Sequence, residues 1–220
     1  NIGYDYVNGT QNSLESLRKI VETYQNDFTP NVKIEFEDMS INTLIEANET
    51  ETQWKFNISS LRRNVEGVSE GHFIIVGARP NTGKTSFHAS IIASPKGFAE
   101  QGAKCVVLCN EEAPNRVGAR YLSAATTMSM EEIKVNPSKA ALRYDKVNPN
   151  IHIKDSTGKD LSWVEAVVKA TKPDVLILDM GDKFAPRTSD KTDVYLRDAA
   201  IHARNIAKEY KCAVFWLSQL

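Results

Sequence analysis

A nine-residue loop constrains this chain more than any other feature of its sequence. Residues Gly77–Thr85 have the sequence Gly-Ala-Arg-Pro-Asn-Thr-Gly-Lys-Thr, which fits the pattern G-x-x-x-x-G-K-[ST]. The apolar segment Phe73–Gly77 precedes it and a helical segment begins at Lys84, which is the strand–loop–helix context that the pattern requires. Glycines let successive backbone N–H groups point at phosphate oxygens, and the helix N-terminus adds partial positive charge. We therefore predict that nine residues bind nucleotide phosphates: Gly77, Ala78, Arg79, Pro80, Asn81, Thr82, Gly83, Lys84 and Thr85.

The same loop, together with a later aspartate, predicts a magnesium site. Lys84 is expected to reach the β- and γ-phosphates, and the Thr85 hydroxyl is expected to bind Mg²⁺. The metal needs a second protein ligand, and the apolar segment Val175–Leu178 ends in Asp179. Ligands of open α/β sheets bind at the carboxyl ends of the strands, so we predict that Asp179 holds Mg²⁺ directly or through water.

The rest of the chain alternates apolar strands with amphipathic helices. This alternation predicts an α/β fold in which a mainly parallel central sheet is covered by helices on both faces. The strands are expected at Phe73–Gly77, Lys104–Cys109, Ile151–Lys154, Val175–Asp179 and Ala213–Ser218. The helices are expected from Lys84 to the Ser94-Pro95 break, and at Pro114–Ala125, Ser138–Tyr144, Leu161–Thr171 and Asp193–Tyr210, with a capping box at Ser129-x-x-Glu132.

Three polar residues at predicted strand ends are candidates for handling the attacking water. Glu111 and Glu112 follow the strand Lys104–Cys109, and one of them could face the γ-phosphate if that strand lies next to the strand before the loop. Gln219 ends the last predicted strand, where an amide can hydrogen-bond the γ-phosphate or water. The residues alone do not choose between the two glutamates.

Composition excludes several other classes of protein. The 220 residues include 27 Lys+Arg and 28 Asp+Glu, and a net charge of −1 argues against a generally basic nucleic-acid coat. No apolar run approaches the ~20 residues of a membrane span. Three cysteines do not make a disulfide framework, and Cys105 and Cys109 would lie ~13 Å apart on one strand. The four histidines show no ligand spacing.

The N-terminal part differs from the remainder. Residues 1–66 carry eleven acidic and six basic side chains, a net charge of −5. Apolar residues on one helical face predict a helix over Asn12–Asn26, and a shorter helix is expected at Ser40–Ala47. We predict a linker or assembly segment at 1–57 and the main domain at 58–220; whether the first helix packs on its own chain or on a neighbouring one stays open.

The order of the motifs resembles that of the DnaB-like replicative DNA helicases, whose ATPase domain has a RecA-like fold. The loop is similar to theirs, and the other matching segments follow in family order: Val106–Glu112, Arg120, Ile151–Gly158, Leu178-Asp179 and Ala213–Leu220. The resemblance matches Glu111 to the catalytic glutamate, and it implies that Lys84, Glu111 and Gln219 are catalytic. It covers residues 58–220.

The resemblance also carries expectations about the whole protein. It implies Mg-ATP as substrate, a homo-oligomer that is a hexamer, single-stranded DNA as partner, a primase or helicase loader as a further partner, and a cytoplasmic site of action in a bacterial cell or phage-infected host. We also expect the chain to be a piece of a longer protein, with its arginine finger and DNA-binding loops beyond residue 220.

Two other classes of P-loop protein remain as alternatives. One is a RecA-fold recombinase or clock-type ATPase, which hydrolyses ATP without unwinding DNA. The other is a P-loop kinase for a small molecule. A kinase usually carries an arginine-rich lid between its loop and its metal-binding aspartate, but the stretch Thr126–Asn150 contains Arg143 as its single arginine.

Overall fold

The computed structural model describes residues 40–42, 52–184 and 192–219. The chain divides into two compact units, residues 1–50 and residues 51–220. The helix predicted at Asn12–Asn26 lies outside the described residues, and of the helix predicted at Ser40–Ala47 only residues 40–42 are described, of which 41 and 42 are helical. None of the described helices has both the length and the apolar character needed to cross a membrane.

The second unit is built on a five-stranded sheet in which all neighbouring strands are parallel, as the sequence predicts. Its strands run in the order β3-β7-β6-β4-β5, so that β6 is central and β3 lies at one edge. The strands are β3 (Phe73–Ala78), β4 (Cys105–Cys109), β5 (Ile151–Asp155), β6 (Val175–Asp179) and β7 (Ala213–Gln219). The predicted α/β fold class is therefore confirmed.

Seven helices are described, and the long ones cover the two faces of the sheet. They are α1 (Ser59–Val65), α2 (Lys84–Ala93), α3 (Pro114–Thr126), α4 (Met130–Val135), α5 (Pro137–Tyr144), α6 (Leu161–Thr171) and α7 (Thr192–Glu209); 3₁₀ turns occupy Asn148–Asn150 and Gly181–Phe184. Side chains of β4 alternate between two cores: Cys105 and Val107 pack with α2 and α3, whereas Val106 and Leu108 pack with α6 and α7. The result is a three-layer sandwich of helices, sheet and helices.

Local sequence signals explain where these helices begin and end. The α2 helix stops at Ala93, directly before Ser94-Pro95, because a residue that precedes proline is disfavoured in helical conformation. The capping box of α4 forms as predicted, since the Ser129 side chain accepts from the Glu132 backbone and the Glu132 carboxylate accepts from the Ser129 backbone. The α6 helix is capped by Asp160, which accepts a hydrogen bond from the Trp163 backbone N–H.

A small antiparallel pair, which the sequence analysis missed, also packs against the sheet. Strands β1 (Trp54–Lys55) and β2 (Gly67–Val68) pair on either side of α1. The Phe56 ring is buried with its centroid 5.5 Å from that of Phe98 and 6.5 Å from that of Phe215. Two-residue strands carry no detectable hydrophobic period, so only the tertiary structure shows that this segment contributes to the core.

The three cysteines are free and buried. Burial, reinforced by nearby aspartates, raises the pKa of the Cys109 and Cys212 thiols to about 12, and it raises the pKa of Cys105 as well. The reactive thiolate is therefore scarce at neutral pH.

We expect none of the three cysteines to react with a thiol reagent such as Ellman's reagent at pH 8 in the folded protein. After denaturation in guanidinium chloride, all three should react, which makes the unfolded chain its own control. One thiol that reacts in the native protein as fast as free cysteine would contradict this packing.

Candidate functional site: a phosphate-binding cleft

A cleft of about 510 Å³ lies at the carboxyl edge of the parallel sheet. This is the edge where open α/β sheets bind their ligands, because loops diverge from neighbouring strand ends there. Eleven residues line the cleft: Pro80, Asn81, Gly83, Lys84, Thr85, Ser86, Glu111, Glu112, Arg120, Asp179 and Gln219. The structure thus brings together all the residues that the sequence analysis singled out for metal binding and hydrolysis.

The loop between β3 and α2 supplies one wall of the cleft. Gly83 caps α2 with a φ of +98°, a left-handed conformation that favours glycine, and Asn81 also has a positive φ, of +59°. The Thr82 hydroxyl donates to the Arg79 carbonyl at 2.7 Å and closes the turn. Gly77, Ala78, Arg79 and Thr82, although predicted to bind phosphate, do not line the cleft.

Lys84 projects its ammonium group toward the end of β6. Its Nζ lies 2.9 Å from the Met180 sulfur, and none of the salt bridges among the described residues involves Lys84. A thioether is a weak acceptor, so phosphate oxygens compete with it easily. The charge of Lys84 is therefore available to a ligand in the cleft.

The oxygens of Thr85 and Asp179 fit a magnesium ion. Asp179 ends the fully buried strand β6 and is itself only 2% exposed, yet it lines the cleft together with Thr85. Mg²⁺ prefers oxygen ligands and is usually held by one or two protein groups plus substrate phosphates and water. In the described part of the chain, no cluster of three or more His, Cys, Asp or Glu side chains could hold a metal.

Both glutamates reach the cleft, although not by the strand arrangement that the sequence analysis considered. Strand β4 does not lie next to β3, because β6 and β7 separate them. The β4 exit is nevertheless close to the site, since Cys109 is in register with Asp179 on the neighbouring strand β6. Alignment of strand ends along one edge, rather than adjacency to β3, brings Glu111 and Glu112 to the loop.

The two glutamates differ in their partners. The Glu112 carboxylate accepts a hydrogen bond from Arg120 on α3 at 2.9 Å, and its side chain is 24% exposed. Glu111 lies 4.0 Å from the Lys183 ammonium, and its side chain is 49% exposed. Glu112 is thus engaged in a charge-assisted hydrogen bond, while the Glu111 carboxylate is the freer of the two.

A buried Tyr–His pair behind Asp179 was missed by the sequence analysis. The His88 side chain on α2 is fully buried, and its Nδ1 lies 2.8 Å from the Tyr121 hydroxyl on α3. Its Nε2 has no hydrogen-bond partner and lies 3.8 Å from Asp179 Oδ2. No spacing pattern marks a single histidine, so the sequence alone gives no signal for this arrangement.

The carboxylate of Asp179 favours one tautomer of the His88 ring. Burial raises the pKa of Tyr121 well above its ordinary value, so this hydroxyl stays protonated and is able to donate to His88 Nδ1. We therefore assign the imidazole proton to Nε2, where the N–H faces the Asp179 carboxylate; the other tautomer would turn a lone pair toward a negative charge.

The sheet, the loop and the acidic strand end together define a P-loop ATPase with a RecA-like fold. The chain belongs to the AAA domain family, whose model matches residues 43–220. No curated protein matches the chain at a significant level.

Two solved structures share the fold. A DnaB-like replicative helicase, described with its interactions with primase, superposes with a TM-score of 0.72 at 17% identity over 100% of this chain and 55% of its own. A second solved structure, an ATPase domain, gives a TM-score of 0.66 at 20% identity over 84% of this chain and 72% of its own. The chain thus spans about half the length of the first. The resemblance to DnaB-like helicases is confirmed at the level of the fold.

We predict that Tyr121→Phe destabilises the protein by about 1–3 kcal/mol, because it leaves the buried His88 Nδ1 without its hydrogen-bond partner. Urea denaturation with an unchanged m-value would measure the loss. Tyr144→Phe is the matched control, since the Tyr144 hydroxyl has no hydrogen-bond partner among the described residues. Equal effects of the two variants would show that the His88–Tyr121 hydrogen bond contributes nothing specific.

Proposed function

We propose that this chain is the ATPase domain of a ring-forming replicative DNA helicase that hydrolyses Mg-ATP. The observation that carries the ATPase proposal is the convergence in one cleft of Lys84, Thr85, Asp179, two glutamates and Gln219 from four separate segments. An ordinary glycine turn would not gather this set. Each residue type matches one task in phosphoryl transfer to water.

The positive groups of the cleft handle phosphate charge. Lys84 and the N-terminus of α2 bind the β- and γ-phosphates, and Gly83 lets the backbone approach them. Thr85 and Asp179 would hold Mg²⁺ through oxygen, and the His88 N–H behind Asp179 faces its carboxylate. A magnesium ion held there would supply positive charge to the phosphate oxygens.

Glu111 is the group that activates water. Among the described residues, its carboxylate has only the distant Lys183 ammonium beside it, at 4.0 Å, whereas Oε1 of Glu112 accepts a hydrogen bond from Arg120 at 2.9 Å. Gln219 ends β7, which flanks β6 on the side opposite to β4. Its side chain hydrogen-bonds the γ-phosphate and thereby distinguishes ATP from ADP.

The helicase part of the proposal rests on family and fold. The AAA domain match and the similarity to the two solved structures support a hexamer that moves along single-stranded DNA and unwinds duplexes in replication. A primase or a helicase loader is the further partner, and the cytoplasm of a bacterial cell or phage-infected host is the place of action. We place the linker or assembly segment before residue 51, and the ATPase domain in the compact unit 51–220, which includes β1 and the buried Phe56 ring.

The decisive test of the helicase is strand displacement by the protein in its full natural length. A labelled strand should be released from a forked DNA duplex only with Mg²⁺ and ATP. ATP hydrolysis without any displacement would favour a RecA-fold recombinase or clock-type ATPase, and phosphate transfer to a small acceptor would identify a kinase.

Lys84→Ala should lower ATP turnover by at least ~10²-fold, because it removes a fixed positive charge from the phosphate site. Phosphate release measures turnover, and an unchanged circular dichroism melt shows that the fold is intact. Lys139→Ala, an exposed lysine of α5 outside the cleft, is the control and should retain full turnover. Normal turnover by a folded Lys84→Ala protein would refute the assignment of the phosphate site.

Glu111→Gln should lower hydrolysis by about 10²–10⁴-fold while ATP still binds, since removal of a general base affects the chemical step. Glu112→Gln is the matched variant, with the same change of charge one residue away, and should have the smaller effect. Single-turnover hydrolysis and nucleotide titration separate the two steps. If Glu112→Gln alone abolishes hydrolysis, Glu112 is the base.

A further inference from the structure

The turn that follows Asp179 contacts three of the elements that build the cleft. Met180, the first residue of the turn, has a φ of +63° and is 5% exposed. Its sulfur lies beside the Lys84 ammonium, and its carbonyl accepts a hydrogen bond from the Asn110 side chain at 3.1 Å. A buried non-glycine residue in a left-handed conformation is strained, so the surrounding contacts hold this turn in one shape.

The next residue brings the turn against β7. A Cβ at Gly181 would lie 2.3 Å from the ring of Trp216, which is closer than any real contact. Because glycine has no Cβ, the backbone packs directly on the indole ring. This close approach places Asp182 beside the end of β7.

Both carboxylate oxygens of Asp182 accept hydrogen bonds from residues of β7. Oδ1 accepts from the Trp216 indole N–H at 3.0 Å. Oδ2 accepts from the Ser218 hydroxyl at 2.6 Å and from the backbone N–H of Gln219 at 3.3 Å. Hydrogen bonds to an ionised carboxylate are roughly twice as strong as neutral ones, so this side chain fixes the strand end firmly.

The Asp182 hydrogen bonds take the place of strand pairing that β6 no longer provides at the end of β7. On the β3 side, β7 stays paired as far as Ala78 and Gln219, but on the β6 side the last pair is Leu178 and Trp216. Strand β6 has turned away by the time β7 reaches Gln219. The Asp182 carboxylate takes the backbone N–H that would otherwise be left unpaired on that side.

The geometry points to Asp182 as a positioning residue: its hydrogen bonds to Ser218 and to the Gln219 backbone hold the Gln219 side-chain amide at the phosphate edge of the cleft. Because Asp182 lies in the turn after β6, these bonds also connect Gln219 to the strand that ends in Asp179. This inference rests on the proposed function, in which Gln219 contacts the γ-phosphate. ADP has no γ-phosphate, so its affinity should not depend on Asp182. The affinity for a nucleoside triphosphate should depend on Asp182.

The experiment compares binding of ADP with binding of the non-hydrolysable analogue AMP-PNP, both with Mg²⁺, by isothermal titration calorimetry. Asp182→Ala should weaken AMP-PNP by about tenfold, which is ~1.4 kcal/mol, and leave ADP within about twofold. Ser218→Ala removes one donor and leaves the carboxylate in place. It should also weaken AMP-PNP relative to ADP, by a smaller factor than Asp182→Ala. Asp145→Ala, an exposed aspartate outside the cleft, is the control and should leave both affinities unchanged.

A second measurement needs no nucleotide. Hydrogen exchange of the Gln219 backbone N–H should speed up in Asp182→Ala, because the variant lacks the carboxylate that accepts its hydrogen bond. The Leu217 backbone N–H in the middle of β7 should stay protected. Unchanged exchange of the Gln219 backbone amide in Asp182→Ala would overturn the positioning role.

The possible results distinguish a failure of the Asp182 inference from a failure of the proposed ATPase function. If the wild-type chain binds neither nucleotide, the proposed function is wrong, and the inference about Gln219 and the γ-phosphate is wrong with it. If the wild type binds both but Asp182→Ala and Ser218→Ala leave the AMP-PNP to ADP ratio unchanged, only the inference is overturned. Equal weakening of both nucleotides would also overturn it, because it would indicate a general structural role.

Discussion

Burial of one central strand is the constraint on which the site depends. Residues Val175–Leu178 are at most 1% exposed and lie between β4 and β7. Each buried side chain of this kind contributes roughly 1.5–3 kcal/mol. A slip by one residue toward the interior would drag the Asp179 carboxylate into apolar surroundings, where an unpaired charge costs several kcal/mol. The hydrophobic effect thus fixes the register of β6, and the register fixes where the carboxylate emerges.

The cleft combines charges of both signs at close range. Three carboxylates, from Glu111, Glu112 and Asp179, share it with the cations of Lys84 and Arg120. Pairing with Arg120 satisfies Glu112, so two carboxylates and one free ammonium face the space between them. Such a surface suits a ligand that brings both phosphate oxygens and a divalent cation, because each would meet groups of opposite charge.

Two sets of side chains support the site. On the side of α2 and α3, the buried His88 and Tyr121 back the Asp179 carboxylate. Beyond the end of β6, Asp182 holds the end of β7. Side chains locked by packing and by further hydrogen bonds keep functional groups within the narrow tolerances that catalysis needs. The residues proposed to bind the metal and to sense phosphate are therefore supported by one connected set of contacts.

The sequence by itself determined the sheet strands, the main helices and most of the candidate site. Val175–Asp179 and Leu161–Thr171 have the bounds that their apolar patterns predict, because hydrophobic period and turn residues act locally. Only the tertiary structure decided the strand order, the Arg120–Glu112 pair, the placement of His88 behind Asp179 and the role of Asp182 at β7. Partners that lie on different elements of the chain leave no local signal; they meet because packing of the whole sheet brings them together.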